Sequence, residues 1–121
     1  MKILIAESDP NLGGIWRAHL LRQGAEVELA TSGEVALDNL AKNIYDLLVL
    51  SQSLGEDEAL NVADYASYRH PDIKVIFVTR SRFFADGSVF SHCPNACACL
   101  PEHTPPQDLA ALVEYHLSKV A

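Results

Sequence analysis

The sequence has few basic residues, few aromatic residues and no long apolar run. Its nine lysines and arginines stand against sixteen aspartates and glutamates, which gives a formal net charge of −7, and the basic residues are scattered along the chain. Proteins that bind the phosphate backbone of nucleic acids do so through clustered positive charge. We therefore expect no direct contact between this domain and nucleic acid.

No apolar stretch approaches the roughly 20 residues that a membrane-spanning helix needs. Met1 and Lys2 lead directly into a short apolar segment, without the longer apolar run and small-residue cleavage site of a secretory signal. The three cysteines, Cys93, Cys97 and Cys99, are an odd number crowded into seven residues, which is not a disulfide framework. These absences predict a cytoplasmic protein that makes no use of a membrane.

Short aliphatic segments alternate with amphipathic ones along the whole chain. The aliphatic segments are predicted strands: Lys2–Ala6, Ala25–Ala30, Asp46–Leu50, Ile73–Thr79 and Ala96–Leu100. Helical spacing predicts helices at Pro10–Gly24, after Gly33, at Glu56–Arg69 and at Pro105–Val120, with a weak fourth helix within residues 80–95. Strict alternation predicts a three-layer α/β/α flavodoxin-like fold, with a five-stranded parallel sheet of order 2-1-3-4-5 and five helices.

We expect residues 1–121 to form one domain, either a whole protein or the amino-terminal domain of a longer one. In sheets of this kind the functional site lies beyond the carboxyl ends of the strands. We call this edge the carboxyl rim: residues 7–9, 51–53, 79–82 and 100–103. Asp9, although it lies on the rim, is best explained as a cap for a helix that begins at Pro10.

The rim motifs, and their order, resemble the receiver domains of two-component response regulators (CheY-like proteins). The matching segments are Ile3-Leu-Ile-Ala-Glu-Ser-Asp-Pro10, Tyr45-Asp-Leu-Leu-Val-Leu-Ser-Gln-Ser-Leu54, His70-Pro-Asp-Ile-Lys-Val-Ile-Phe-Val-Thr79 and Asn95-Ala-Cys-Ala-Cys-Leu-Pro-Glu-His103. In that family the first strand ends in two acidic residues and the third in a phosphoacceptor aspartate. The fourth strand ends in threonine or serine, and a lysine follows the fifth. The resemblance runs the length of the chain and implies the same fold.

Three of the family's reactive positions are altered in this sequence. Glu7 keeps the first acidic position and Thr79 the hydroxyl, but Ser8 replaces the second acid, Ser51 the phosphoacceptor and Glu102 the lysine. The family's acids and acceptor hold a divalent cation, which needs such carboxylate oxygens. A serine hydroxyl also needs a base to become a nucleophile, and none is evident beside Ser51.

The altered positions predict a degenerate, phosphorylation-independent pseudo-receiver of a two-component-type system, which regulates by protein–protein interaction. We expect no catalytic residue, bound metal or cofactor, and no enzymatic activity. Glu7 is expected to be a solvated carboxylate, hydrogen-bonded to Ser51 or Thr79. The partner is expected to be a sensor kinase, an output domain or another signalling protein.

The resemblance implies that the partner binds the face formed by the fourth helix, fifth strand and fifth helix. Phe83, Phe84, Cys99 and Pro101 are the candidate contacts on this face. A homodimer through the same face is a further expectation.

Three alternatives remain open. Cys93, Cys97 and Cys99, with His92 and His103, offer ligands for a thiol or metal sensor, although the spacing suits zinc poorly and ordinary packing explains the cysteines better. Cys97 and Cys99 are expected to point to the same face of their strand. A second alternative is a receiver that is phosphorylated at another residue. A flavin- or nucleotide-binding enzyme is disfavoured, because no glycine-rich loop follows the first strand.

Overall fold

The structure, a computed structural model, describes residues 1–80 and 93–118 of the chain. Its strands are β1 Lys2–Ala6, β2 Glu26–Ala30, β3 Leu47–Ser51, β4 Lys74–Thr79 and β5 Ala96–Pro101. The described helices are α1 Pro10–Arg22, α2 Gly33–Lys42, α3 Glu56–Arg69 and α4 Pro106–Ser118, with a 3₁₀ turn at Gln52–Leu54. The fourth helix expected within residues 80–95 falls mainly on 81–92, outside the described residues, so that α4 is the expected closing helix.

The five strands form one parallel sheet in the order β2-β1-β3-β4-β5, which confirms the predicted flavodoxin-like topology. All five residues of β3 are buried, as its continuous apolar run predicts for the centre of a covered sheet. One apolar core lies between the sheet and helices α2 and α3, and a second lies between the sheet and helices α1 and α4. Within the two described ranges, no helix is long and apolar enough to cross a membrane.

Helix α1 begins and ends as its sequence predicts. The side chain of Asp9 accepts a hydrogen bond from the backbone N–H of Asn11 at 2.9 Å, and Pro10 occupies the first turn. At the other end, Gly24 takes a φ of +87° and donates its N–H to the carbonyl of Leu21 at 3.0 Å. This left-handed glycine ends the helix and turns the chain into β2.

The two adjacent glycines of α1 have different surroundings. A Cβ atom added to Gly13 would lie 2.6 Å from Cδ1 of Leu29 on β2, whereas one added to Gly14 would meet nothing within 4 Å. Gly13 therefore allows α1 to lie close against the edge strand. Nothing in the structure explains Gly14.

Strand β5 contains a β-bulge at Cys97. Val75 of β4 pairs with Ala96 and the next residue, Ile76, pairs with Ala98, so that Cys97 is the extra residue. The expectation that Cys97 and Cys99 point to the same face is wrong. Cys97 packs against the core under α1 and α4, and Cys99 packs against the core under α2 and α3. The bulge shifts the alternation by one residue and separates the two thiols across the sheet.

We expect Gly13→Ala and Gly14→Ala to change stability in opposite directions. Alanine at position 14 should raise the free energy of unfolding by about 0.5–1 kcal/mol, because it favours the helix and meets no neighbour. Alanine at position 13 must displace the side chain of Leu29, and overpacking of this kind typically costs about 1–3 kcal/mol. Urea unfolding of both variants measures the difference. Equal stabilisation by the two substitutions would show that α1 does not need the close approach.

Candidate functional site

Three polar side chains are buried at the carboxyl rim. Glu7 is 1% exposed, Ser51 2% and Thr79 4%, and these are the buried polar residues of the part of the chain that the structure describes. Each stands at the end of a different strand or directly after it. Because burying a polar group is costly unless it is hydrogen-bonded, their partners define what this site can do.

The carboxylate of Glu7 is held by hydrogen-bond donors. Its Oε2 accepts from the hydroxyl of Ser53 at 2.5 Å, from the backbone N–H of Asp9 at 2.8 Å and from the hydroxyl of Ser8 at 3.4 Å. No ion pair between described residues includes Glu7. Hydroxyl and backbone N–H groups thus provide the stabilisation that a cation gives to many buried carboxylates.

The expectation of a solvated Glu7 bound to Ser51 or Thr79 is wrong, because the folded rim buries the carboxylate and places Ser53 against it. The hydroxyl of Ser51 donates a hydrogen bond to Oγ of Ser53 at 2.9 Å, and the hydroxyl of Ser53 donates one to Oε2 of Glu7. Ser51 therefore reaches the carboxylate through Ser53. The resulting chain, Ser51 to Ser53 to Glu7, is called the serine–glutamate chain below.

Ser53 lies in the rim segment 51–53 that the sequence predicts, but no role was predicted for its side chain. Besides its two hydroxyl contacts, its Oγ accepts the backbone N–H of Ser8 at 3.1 Å, while its own N–H donates to Oγ of Ser51 at 3.1 Å. The available signal was its position, two residues after Ser51. In the receiver family that the sequence resembles, the residue at this position binds the cation through its backbone carbonyl. In this chain the same residue also carries a hydroxyl.

The β4–β5 side of the rim is tied by separate contacts. The hydroxyl of Thr79 donates to the carbonyl of Leu100 at 3.3 Å. Nε of Arg80 lies 2.5 Å from Oε2 of Glu102, with the two side chains 54% and 44% exposed. Gln52, next to Ser51, accepts the backbone N–H of Arg80 through Oε1 at 2.6 Å. The charge of Glu102 is thus paired with Arg80, a partner that the sequence did not indicate.

The described rim does not fit the divalent cation that the receiver resemblance implies. Mg²⁺ prefers near-octahedral coordination by oxygens, usually with one or two carboxylates among its ligands. Glu7 is the one buried carboxylate among the described residues, and its Oε2 already accepts three hydrogen bonds, so that this oxygen is not free to bind a cation. No group of three or more histidine, cysteine, aspartate or glutamate side chains in the described ranges is arranged to hold a metal ion.

The cysteines pack in apolar surroundings. Cys93 is buried, with its Sγ 3.8 Å from the hydroxyl of Ser67. Burial raises the pKa of the Cys97 thiol above its usual value, while the nearby positive charge of Lys74 partly opposes this shift. A raised pKa lowers the thiolate fraction and hence the reactivity. Together with the separation of Cys97 from Cys99 across the sheet, this disfavours a shared thiol or metal site.

The partner face predicted from the resemblance is only partly described. Phe83 and Phe84 lie outside the described residues. Cys99 is half-buried against one core and Pro101 is exposed at the end of β5. The assignment of these four residues to a partner remains a prediction.

The sequence is similar to parts of known regulators, although no family model matches it. It is 32% identical over 79 residues to the transcriptional regulatory protein RprY of Bacteroides fragilis. This match covers 65% of the present chain and 34% of RprY. It is 27% identical over 75 residues to the regulatory protein LuxO of Vibrio vulnificus. This match covers 62% of the present chain and 17% of LuxO. The chain thus spans about a third or less of the length of these curated relatives.

Solved structures resemble this fold over nearly its whole length. A CheY-like response regulator receiver domain protein of Methanospirillum hungatei is 26% identical, with a TM-score of 0.84, and the match covers 98% of this chain and 94% of that one. The response regulator TrrA of Thermotoga maritima, solved in complex with Mg²⁺ and BeF, is 23% identical with a TM-score of 0.79. That match covers 94% of this chain and 96% of TrrA, and at this identity it is a likeness of fold.

We expect Ser53→Ala to destabilise the rim more than the loss of an ordinary surface hydroxyl. The substitution removes the donor to Glu7 and the acceptor for Ser51 and Ser8, and a buried group left unsatisfied costs about 1–3 kcal/mol. The matched control is Ser118→Ala, which deletes an exposed hydroxyl bonded to the carbonyl of Tyr115. The free energies of unfolding in urea give the comparison, and equal effects would contradict the serine–glutamate chain.

We expect Cys97 to be alkylated by iodoacetamide more slowly in the folded protein than in urea at neutral pH. Burial raises its pKa, so that the thiolate form is disfavoured in the folded state. The native rate should increase as the pH rises towards that pKa. For the same reason, the stability contributed by the protonated thiol is present at lower pH and is lost as the pH rises through the folded pKa. Site-resolved mass spectrometry measures the rate, and faster reaction in the native state would indicate an activated thiol.

Proposed function

We propose that this chain, a receiver domain of the response-regulator (CheY-like) kind, acts as a pseudo-receiver. In this proposal it regulates a protein partner in two-component-type signalling without accepting a phosphoryl group at the end of β3. It has no catalytic activity of its own. The observation that carries the proposal is the serine–glutamate chain at the rim.

The acceptor position favours this proposal because of its chemistry. An aspartate carboxylate is already ionised and attacks phosphorus directly, whereas a serine must lose its proton to a base. Ser51 is 2% exposed, and its hydroxyl is bonded to Ser53. A phosphodonor would have to reach a buried hydroxyl and break that hydrogen bond.

The charges around the acceptor position also favour the proposal. A phosphoryl group at Ser51 would share the rim with the buried carboxylate of Glu7 and with Glu102, which stands where the resembling family has lysine. Like charges in a site of low dielectric repel strongly. Arg80 is the described cation at this edge of the sheet, and it is engaged by Glu102.

The partner in this proposal is a sensor kinase, an output domain or another signalling protein, and a second copy of the chain is a further candidate. RprY and LuxO are regulatory proteins by name, and this chain covers 34% and 17% of their lengths. We propose that the chain acts as the receiver part of a regulator of this kind. In this proposal the regulator acts in the cytoplasm.

A second function is favoured by one feature of the same chain. Because the hydroxyl of Ser51 is linked through Ser53 to a carboxylate, Glu7 is placed to receive its proton at a distance of two hydrogen bonds. A general base acting through an intervening group is known chemistry. This alternative makes the domain a receiver phosphorylated on serine, and its product would be an acid-stable phosphoserine.

The test is incubation of the protein with acetyl phosphate and Mg²⁺, followed by intact-mass measurement. We expect no mass increase, and we expect Mg²⁺ with beryllofluoride to leave the amide NMR signals of Glu7, Ser51 and Thr79 unchanged. The positive control is the triple variant Ser8→Asp, Ser51→Asp, Glu102→Lys, which restores the family residues at the three altered positions. A phosphate adduct on the native chain that disappears in Ser51→Ala would replace the proposal by the serine-phosphorylated alternative.

A further inference from the structure

A surface groove between α2 and α3 lies outside the carboxyl rim. It is lined by Glu34, Val35, Leu37 and Asp38 of α2 and by Tyr65 of α3, and it has a volume of about 530 Å³. All five residues belong to the described part of the chain. The groove combines an apolar floor with carboxylates at its border.

The floor offers apolar surface to a partner. Val35 is 44% exposed on α2, although its neighbour Ala36 is fully buried in the core. Leu37 and Tyr65 are half-buried and pack against that same core. A ligand side chain placed here would extend the existing apolar core and would remove exposed aliphatic surface from water.

The border of the groove is acidic. Helices α2 and α3 carry two and four acidic residues respectively, against one basic residue each: Glu34, Asp38, Glu56, Asp57, Glu58 and Asp64 against Lys42 and Arg69. Both basic residues are already engaged. Lys42 lies 3.1 Å from Asp38, and Arg69 donates to the carbonyl of Ala41 at 3.1 Å. Among the ion pairs of the described residues, none includes Glu34.

We propose that the α2–α3 groove binds a positively charged, amphipathic helical segment of a partner protein. Aliphatic side chains of that segment lie on Val35, Leu37 and Tyr65, and its lysines or arginines lie beside Glu34 and Asp38. A helix in a groove, with apolar anchors and complementary charges around them, is a common mode of protein recognition. The inference rests on the proposed function, since it assumes a domain that acts through protein contacts.

Charge selects this occupant over two others. A second copy of the chain carries the same net charge of −7, and its own α2 and α3 are acidic, so that the two surfaces would repel. A nucleic acid would be repelled for the same reason. A basic segment would be attracted both by the acidic border of the groove and by the negative net charge of the domain.

The experiment uses the whole chain, labelled with ¹⁵N, and a synthetic helical peptide in which leucines line one face and lysines the other. We expect saturable amide shifts confined to α2 and α3. We expect Glu34→Gln with Asp38→Asn to weaken binding roughly 3- to 10-fold at low salt, in line with the energies of exposed charge pairs. Added salt should weaken binding to the native chain more than binding to this variant, because screening acts on the charges.

Matched variants on the opposite layer serve as controls. Val35→Ser should weaken binding, whereas Ile15→Ser on α1, where the side chain is 47% exposed, should leave it unchanged. Glu114→Gln on α4 is the control for the acidic pair. Equal effects of groove and control variants, shifts spread over other elements, or no saturable shift would each overturn the proposal. Concentration-dependent shifts in the groove without peptide would assign it to a second copy and would likewise overturn it.

The failure of this inference can be distinguished from the failure of the pseudo-receiver proposal. A phosphate adduct at Ser51 would overturn the pseudo-receiver proposal without changing the peptide titration. A failed titration would remove the groove as a docking surface and would leave the mass and beryllofluoride results as they stand.

Discussion

The burial of the Glu7 carboxylate among hydrogen-bond donors is the constraint on which the rim depends. Burying a carboxylate is costly unless hydrogen-bond donors or opposite charges satisfy it, and here donors come from residues that follow β1 and β3. Ser53 provides the shortest of these bonds and binds Ser51 and the backbone of Ser8 as well. Removal of this single hydroxyl would take one of three donors from the buried carboxylate and would leave the hydroxyl of Ser51 and the N–H of Ser8 without their acceptor.

Side-chain or backbone contacts join each neighbouring pair of strand ends at the carboxyl rim. The N–H of Glu7 donates to the carbonyl of Ala30, which joins β1 to β2, and the serine–glutamate chain joins β1 to β3. Gln52 joins the end of β3 to Arg80, and the Arg80–Glu102 pair joins β4 to the end of β5. Side-chain contacts therefore join three of the four neighbouring pairs, and a backbone hydrogen bond joins the fourth.

The sequence predicts the architecture well because strand and helix patterns are local. The bounds of β1 and α3, the cap at Asp9 and the glycine end of α1 were all predicted from a few neighbouring residues. The contacts of the rim were not, because they join residues far apart in the chain: Glu7 to Ser53, and Arg80 to Glu102. Resemblance identified Ser51 as the altered acceptor, but only the folded chain shows which hydroxyl accepts its hydrogen bond and which carboxylate is buried.

The bulge in β5 changes the meaning of each position along that strand. Before Cys97 the side chains alternate in one phase, and after it they alternate in the other, so that Cys97 and Ala98 both face the core under α1 and α4. An ungapped alignment with a regular strand assigns the wrong face to one half of β5. A substitution series along this strand must therefore be interpreted in two frames, with the change of frame at Cys97.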